Sequence, residues 1–241
     1  KSTDGYDTII VNKDDGKTVK FGNWQLSKIK NVVVESGITT FDIPIEIENF
    51  STSENAGDIT FSKNTTIKNA CEINSKNTVS FGSDENSTTT FGTEENPVNF
   101  KHTAGQTNIK GSLTANDINC GNTTIAGNVT ANKITLTENT IDGTITGTEI
   151  TLEKTTLNGN ITGTDVEIGD LSLNGTIAAD NITLVEIAVV ENSELKINEA
   201  ATDGKITLNG KVISEDAKNL TLNGNIIVSE QCSSINLNQG I

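Results

Sequence analysis

The chain has 241 residues and among them no arginine, no methionine, one histidine, one tryptophan, one tyrosine, two prolines and three cysteines. Each scarcity excludes something. Without a guanidinium there is no planar fork for bidentate recognition of phosphate or carboxylate. Without a methionine the chain does not open on an initiator residue, and the expectation is a processed product or a fragment of a longer protein. Aromatic residues make up only 4%, so stability has to come from aliphatic stacking and backbone ladders. Cys71, Cys120 and Cys232 are odd in number and far apart, which fits neither a disulfide framework nor a zinc knuckle. Their scarcity decides little about compartment. No apolar run approaches the length of a membrane-spanning helix; the longest, Ile182 to Val190, is broken by Thr183 and Glu186. No signal peptide remains in the sequence, which also fits one that has been removed. Positive charge is also short: 17 Lys face 32 Asp and Glu, for a net charge of -15. Such a surface repels nucleic acid and anionic lipid, so neither is an expected partner.

What is present in abundance is repetition. Gly111, Gly127, Gly143, Gly159 and Gly175 follow one another at sixteen-residue intervals. Around them one phrase recurs, as in TTIAGNVTANKITL and TTLNGNITGTDVEI. A fixed period of this size marks a solenoid, in which each repeat stacks on the next. Within the repeat Ile125, Val129 and Ala131 share one parity and Ile134 and Leu136 the other. That is strand periodicity with a bend between Ala131 and Ile134. The Ile, Val and Thr content suits a pleated sheet. Three aliphatic columns are predicted to face the interior: Ile109 to Leu173, Leu113 to Ile177, and Ile118 to Ile182. Gly and Ala stand at 115, 131, 147, 163 and 179 and are expected at corners. The predicted fold is an all-β, right-handed parallel β-helix (β-solenoid), with regular coils in the centre and longer ones N-terminally. The right hand follows from the preference of parallel crossovers.

In chain order, residues 1–30 depart from the repeat and hold Tyr6 and Trp24. They are expected to be an N-terminal cap or an irregular first coil. Residues 31–241 are expected to form a single continuous β-solenoid: longer coils over 31–106, regular coils over 107–184, a break over 185–205, and resumed coils over 206–241. The break is placed there because Glu191 stands where the next glycine is due. Phe61, Phe81, Phe91 and Phe100 end strand-like segments, and the twenty- and nineteen-residue steps from Phe61 to Phe81 to Phe100 predict rings stacked in successive coils. The chain ends inside a repeat, which again reads as part of a longer rod.

The search for chemistry yields no catalytic, cofactor-binding or metal-binding residue, and no cofactor is expected. There is no phosphate-cradling GxxxxGK[ST] loop and no glycine-aspartate calcium repeat. His102, in FKHTAG, lacks partners for a triad or a metal site and reads as a surface-turn histidine. Cys120 occupies the column of Leu136, Leu152, Ile168 and Leu184 and reads as a buried apolar thiol. The best candidate for a catalytic or calcium-binding row is the outward column Asp117, Lys133, Glu149, Asp165, Asn181; its mixed sign and type read as a solvated ladder. Outward threonines at 114, 130, 146 and 162 raise ice binding, against which stand their charged neighbours. If the chain has a binding surface, it is expected where the repeat fails: 1–30, the acidic loops near 83–96, and 185–205.

The coils NVTANKITL, NITGTDVEI and LNGTIAADNITL resemble the β-helical passengers of large secreted bacterial surface proteins, of the filamentous-haemagglutinin-like and autotransporter adhesin kind. The resemblance implies an exported, non-catalytic stalk or adhesive passenger at the cell surface, meeting host or neighbouring-cell molecules, protein or glycan. The run IDGTITGTEITLEKTTLNGNITG also resembles bactofilins, which implies the alternative of a cytoplasmic polymer-forming scaffold that associates end to end or laterally. A polysaccharide-acting β-helix enzyme is the third class.

Overall fold

A computed structural model describes residues 6–14, 16–22, 28–83, 86–93, 95–189, 193–214, 220–230, 232 and 234–236. Among them every element is a β-strand; no helix is present, hence none long and apolar enough to cross a membrane. Strands pair in parallel and stack as a β-solenoid, and the chain divides into two compact units, Lys1–Ala131 and Asn132–Ile241.

The first unit contains β1 (Tyr6–Val11), β2 (Thr18–Phe21), β3 (Lys28–Val34), β4 (Gly37–Phe41), β5 (Ile45–Thr52), β6 (Ala56–Phe61), β7 (Thr65–Ile73), β8 (Val79–Phe81), β9 (Thr88–Phe91), β10 (Phe100–His102), β11 (Thr107–Ile109), β12 (Ser112–Thr114), β13 (Asp117–Ile125) and the start of β14 (Val129–Ile141). Each coil has three faces. On one, β2, β4, β6, β8, β11 and the end of β13 ladder in turn. On the next lie the starts of β5 and β7, then β9, β12 and β14. The third carries β1, the ends of β3, β5 and β7, and β10 against the start of β13. The N-terminal departure from the repeat is therefore strand-forming: β1 ladders on β3 and β2 on β4. Trp24 and the Tyr6 side chain lie outside the described residues.

Alternation explains the core. In β4 and β8 alternate residues are buried, and the last of them in each strand is a phenylalanine. Phe21, Phe41, Phe61 and Phe81 occupy one register position and stack with centroids 4.8, 4.9 and 5.4 Å apart and planes within 7°. Phe100, expected to continue this stack, does not, and Phe91 lies outside it too. Phe81 continues not to Phe100 but to Ile109; Phe91 pairs with Ile67 and Phe100 with Ile118, on the other two faces. The nineteen-residue step spans two faces of one coil. Phe91 and Phe100 meet Phe81 edge-on at 5.6 and 5.2 Å, a geometry that aligns a positive ring edge with a negative face.

The same interior holds an unpaired polar group. Thr39 is fully buried, its Oγ1 has no hydrogen-bond partner, and its register neighbours are Val19 and Ile59. Thr39→Val keeps the shape and removes an unpaired hydroxyl, so urea denaturation should show stability raised by about 1–2 kcal/mol.

The second unit contains the rest of β14, then β15 (Thr144–Leu157), β16 (Asn160–Leu173), β17 (Thr176–Ala179), β18 (Asn181–Val189), β19 (Ser193–Ile197), β20 (Lys205–Ser214), β21 (Leu220–Asn223), β22 (Asn225–Val228) and β23 (Ser234–Asn236). β15 and β16 pair residue for residue at the sixteen-residue offset: Ile145 on Ile161, Ile150 on Val166, Leu152 on Ile168, Leu157 on Leu173. The ladder skips Thr148 and Glu153–Lys154. The first skip repeats, one coil on, the bend expected after Ala131. The second is a corner the sequence does not announce. Asn122, Glu138 and Lys154, sixteen apart, all have left-handed φ of 45°, 60° and 51°.

The glycine column marks another corner. A Cβ on Gly159 would lie 2.1 Å from the carbonyl oxygen of Gly143, and one on Gly175 2.0 Å from that of Gly159. Side chains are excluded there because the backbone of the neighbouring coil already fills the space. After Gly175 the column continues at Ser193, whose neighbour Glu194 pairs with Thr176 and whose hydroxyl accepts from Gly175 N. Across the break the sixteen-residue offset grows to eighteen at Thr176–Glu194 and to twenty-four at Asn181–Lys205. A second irregularity follows, where the register of β18 on β20 shifts between Leu184 and Glu186.

Candidate functional site

The outward column singled out from the sequence is a surface ladder. Lys133 Nζ lies 3.0 Å from Glu149 Oε2; Glu149, Asp165, Asn181 and Lys205 then share one register position, with Asn181 Nδ2 donating to Asp165 Oδ1 at 2.8 Å. Asp117 belongs to the other unit. Lys154 and Glu138 form a second ladder pair at 3.2 Å. These side chains are exposed, where ion pairs contribute little. No group of three or more His, Cys, Asp or Glu able to hold a metal ion occurs among the described residues. The threonine row is longer than the repeat implied: Thr66, Thr90, Thr114 and Thr130 share one register position in the first unit, and Thr146 and Thr162 another, followed by Ala178, in the second. Residues 84, 85 and 94 of the acidic loops, and 190–192 of the break, lie outside the described residues.

His102 overturns its expectation. It sits on β10 with 0% exposure rather than in a surface turn. Its burial follows from alternation: Phe100 and His102 share the inward parity and Lys101 points out. Around it gathers a buried polar cluster in the first unit. His102 Nε2 lies 3.0 Å from the Ser75 carbonyl oxygen and Nδ1 lies 2.9 Å from Thr107 Oγ1. The carbonyl can only accept, so Nε2 carries the proton and Nδ1 accepts from the threonine hydroxyl. Ser75 N donates to Thr52 Oγ1 at 3.0 Å, and Ser75 Oγ donates to the Ala56 carbonyl at 2.9 Å. Cys120 stands in register with His102, and Thr123 with Thr107. All five of Ser75, His102, Thr107, Cys120 and Thr123 are at most 1% exposed.

Burial sets the chemistry of these groups. It pushes the Cys120 thiol up to about 12, against the opposing hydrogen bonds of Thr107, His102 and Thr123. It raises Cys71 as well, with Cys120 nearby adding to the shift. Both thiols are held protonated and therefore poorly nucleophilic. Desolvation lowers the His102 imidazole, the Ser75 carbonyl working the other way. Cys120 is buried, as expected of it, while His102, Ser75 and Thr107 are the groups that sequence reasoning misplaced or passed over. The signal was available: 107, 123, 139 and 155 are sixteen apart and all polar. In the second unit Asn139 and Thr155 are buried as well; Asn139 Nδ2 donates to Thr155 Oγ1 at 3.2 Å while its own Oδ1 is unpaired.

No protein-family model, no curated protein and no solved structure matches the chain.

Proposed function

We propose that the chain is a non-catalytic stalk or adhesive passenger of a secreted or cell-surface bacterial protein, acting through its extended outward faces. The observation that supports this reading is the stacking itself. Inward columns repeat like on like, so the interior is consumed by packing, while Thr, Asn, Asp, Glu and Lys repeat outward at the spacing of adjacent strands, about 4.8 Å. Such ladders offer many weak, repeated contacts to a protein or glycan surface. A second reading has its own support. Ile226, Ile227 and Val228 on β22 are 47%, 45% and 53% exposed, and apolar strand surface of this kind favours self-association, as in a polymer-forming scaffold.

The test displays the full chain on beads and measures retention on epithelial cells, matrix proteins and a glycan array. The adhesive reading predicts saturable binding to at least one of them, and its absence on all would leave only the stalk. Sedimentation of the purified chain tests polymerisation, and release of reducing ends from pectin-type substrates tests the enzyme class. In the gene, a secretion signal upstream together with a β-barrel or more repeats downstream is the expected context.

A further inference from the structure

The buried cluster carries an inference that does not depend on the outward faces. We propose that His102 is an acid-sensitive latch of the first unit, neutral when it ties neighbouring coils together from inside and opening the surrounding coils when it takes up a proton. The tie is geometric. The Nε2–H bond reaches from β10 to the Ser75 carbonyl, across a sequence separation of 27 residues. The Nδ1 bond holds the corner between β10 and β11 through Thr107. Ser75 is in turn fixed by Thr52 and Ala56, so the imidazole is one link in a polar chain through the core.

Protonation does not have to break either hydrogen bond. The Thr107 hydroxyl can turn from donor to acceptor, and the Ser75 carbonyl accepts well from a cation. What has no remedy is the charge. On the elements packed against His102, the inward ionisable groups are thiols: Cys120 in register on β13, and Cys71 on β7. The charged residues of the same elements point outward: Lys101 and Glu72 are exposed, Asp117 is half-exposed, Lys68 is paired with Glu46 at 2.8 Å, and Lys76, beyond Ser75, is paired with Glu54 at 2.7 Å. Among the described residues no carboxylate faces the ring, and an unpaired buried cation is strongly unfavourable.

The direction of the effect follows from linkage. The folded imidazole binds its proton less readily than the unfolded one, so its contribution to stability is fully present above the unfolded value, about 6.5, and is lost as pH falls below it. This is the chain's only histidine. The surface carboxylates with displaced pKa, namely Asp42, Glu46 and Glu54, are lowered by the lysines that hydrogen-bond them, Lys20, Lys68 and Lys76. They titrate below the window that His102 governs.

The experiment compares wild type and His102→Gln, whose amide can donate to Ser75 and accept from Thr107 without ever charging. Urea denaturation of the full chain followed by circular dichroism between pH 7.5 and 5 should show the wild-type folding constant falling by up to about tenfold per pH unit below about 6.5, with His102→Gln nearly flat. Hydrogen exchange in the wild type at pH 5 should open residues 73–125 first. Equal pH slopes in the two proteins would overturn the proposal, as would exchange that rises first in the second unit. If His102→Gln does not fold, proton NMR of the single imidazole in folded wild type decides instead. Titration near 6.5 sinks the latch, and a C2 proton that stays in the neutral position until the unit opens supports it.

Discussion

Phe61→Ala should destabilise the first unit by about 4 kcal/mol, the largest single effect expected in the chain. Phe61 is fully buried and lies in the middle of the aromatic stack, 4.9 Å from the Phe41 ring and 5.4 Å from that of Phe81. Phe50 meets it edge-on at 5.3 Å. Truncation therefore leaves a cavity lined by three rings that are fixed on strands of the coils above, below and alongside. Because those strands are held by parallel ladders on both edges, the site cannot collapse, and residual cavity volume is what makes such substitutions severe. Each lost ring pair adds about 0.5–1.5 kcal/mol beyond burial. Phe61→Leu should lose roughly half as much. Urea midpoints report the difference directly, and a loss below about 1 kcal/mol for Phe61→Ala would show that the stack relaxes.

Gly159→Ala should destabilise the second unit by about 3 kcal/mol. Here the penalty comes from overpacking. The new methyl would sit 2.1 Å from the Gly143 carbonyl oxygen and 3.2 Å from the Gly143 nitrogen. Both are backbone, so no flexible side chain can swing aside. Relief requires the two coils to separate at the corner, which pulls on the Asn160 N to Gly143 O hydrogen bond beside it. Gly121→Ala is the control, since its Cβ would meet nothing closer than 3.5 Å; it should change stability by less than about 1 kcal/mol. Equal effects of the two substitutions on the thermal midpoint would remove the steric explanation of the glycine column.

Repetition made the centre of the chain legible. When Ile145, Ile161 and Ile177 recur at one spacing, each copy confirms the parity of the others, and the pairing follows that spacing residue for residue. Where copies differ in length the redundancy vanishes. Phe21 and Phe41 belong to the same column as Phe61 and Phe81, but they lie at the edge of or outside the segments whose strand ends were aligned. Phe100 matches Phe61 and Phe81 in spacing although it lies on another face. The left-handed corner escaped for a different reason. Asn122, Glu138 and Lys154 adopt positive φ, yet glutamate and lysine carry no turn signature; the ladders on both sides impose the conformation. The buried cluster escaped because threonine and histidine are conventionally read as outward. Thr107 and Thr123 occupy inward positions that valine would fill equally well in shape, and only the hydroxyl tells that something polar needs a partner there.

The sixteen-residue pairing of β15 on β16 has a genetic consequence. Thr144 and Asn160 occupy one position in the ladder, as do Ile145 and Ile161. Joining Thr144 directly to Ile161 would excise one whole turn and still present each remaining strand with a matching neighbour. If repeated segments of the gene recombine unequally, the products differ in reach by about 4.8 Å per turn gained or lost. A lineage can therefore adjust the length of this structure in discrete steps while the aliphatic register of the remaining strands is kept.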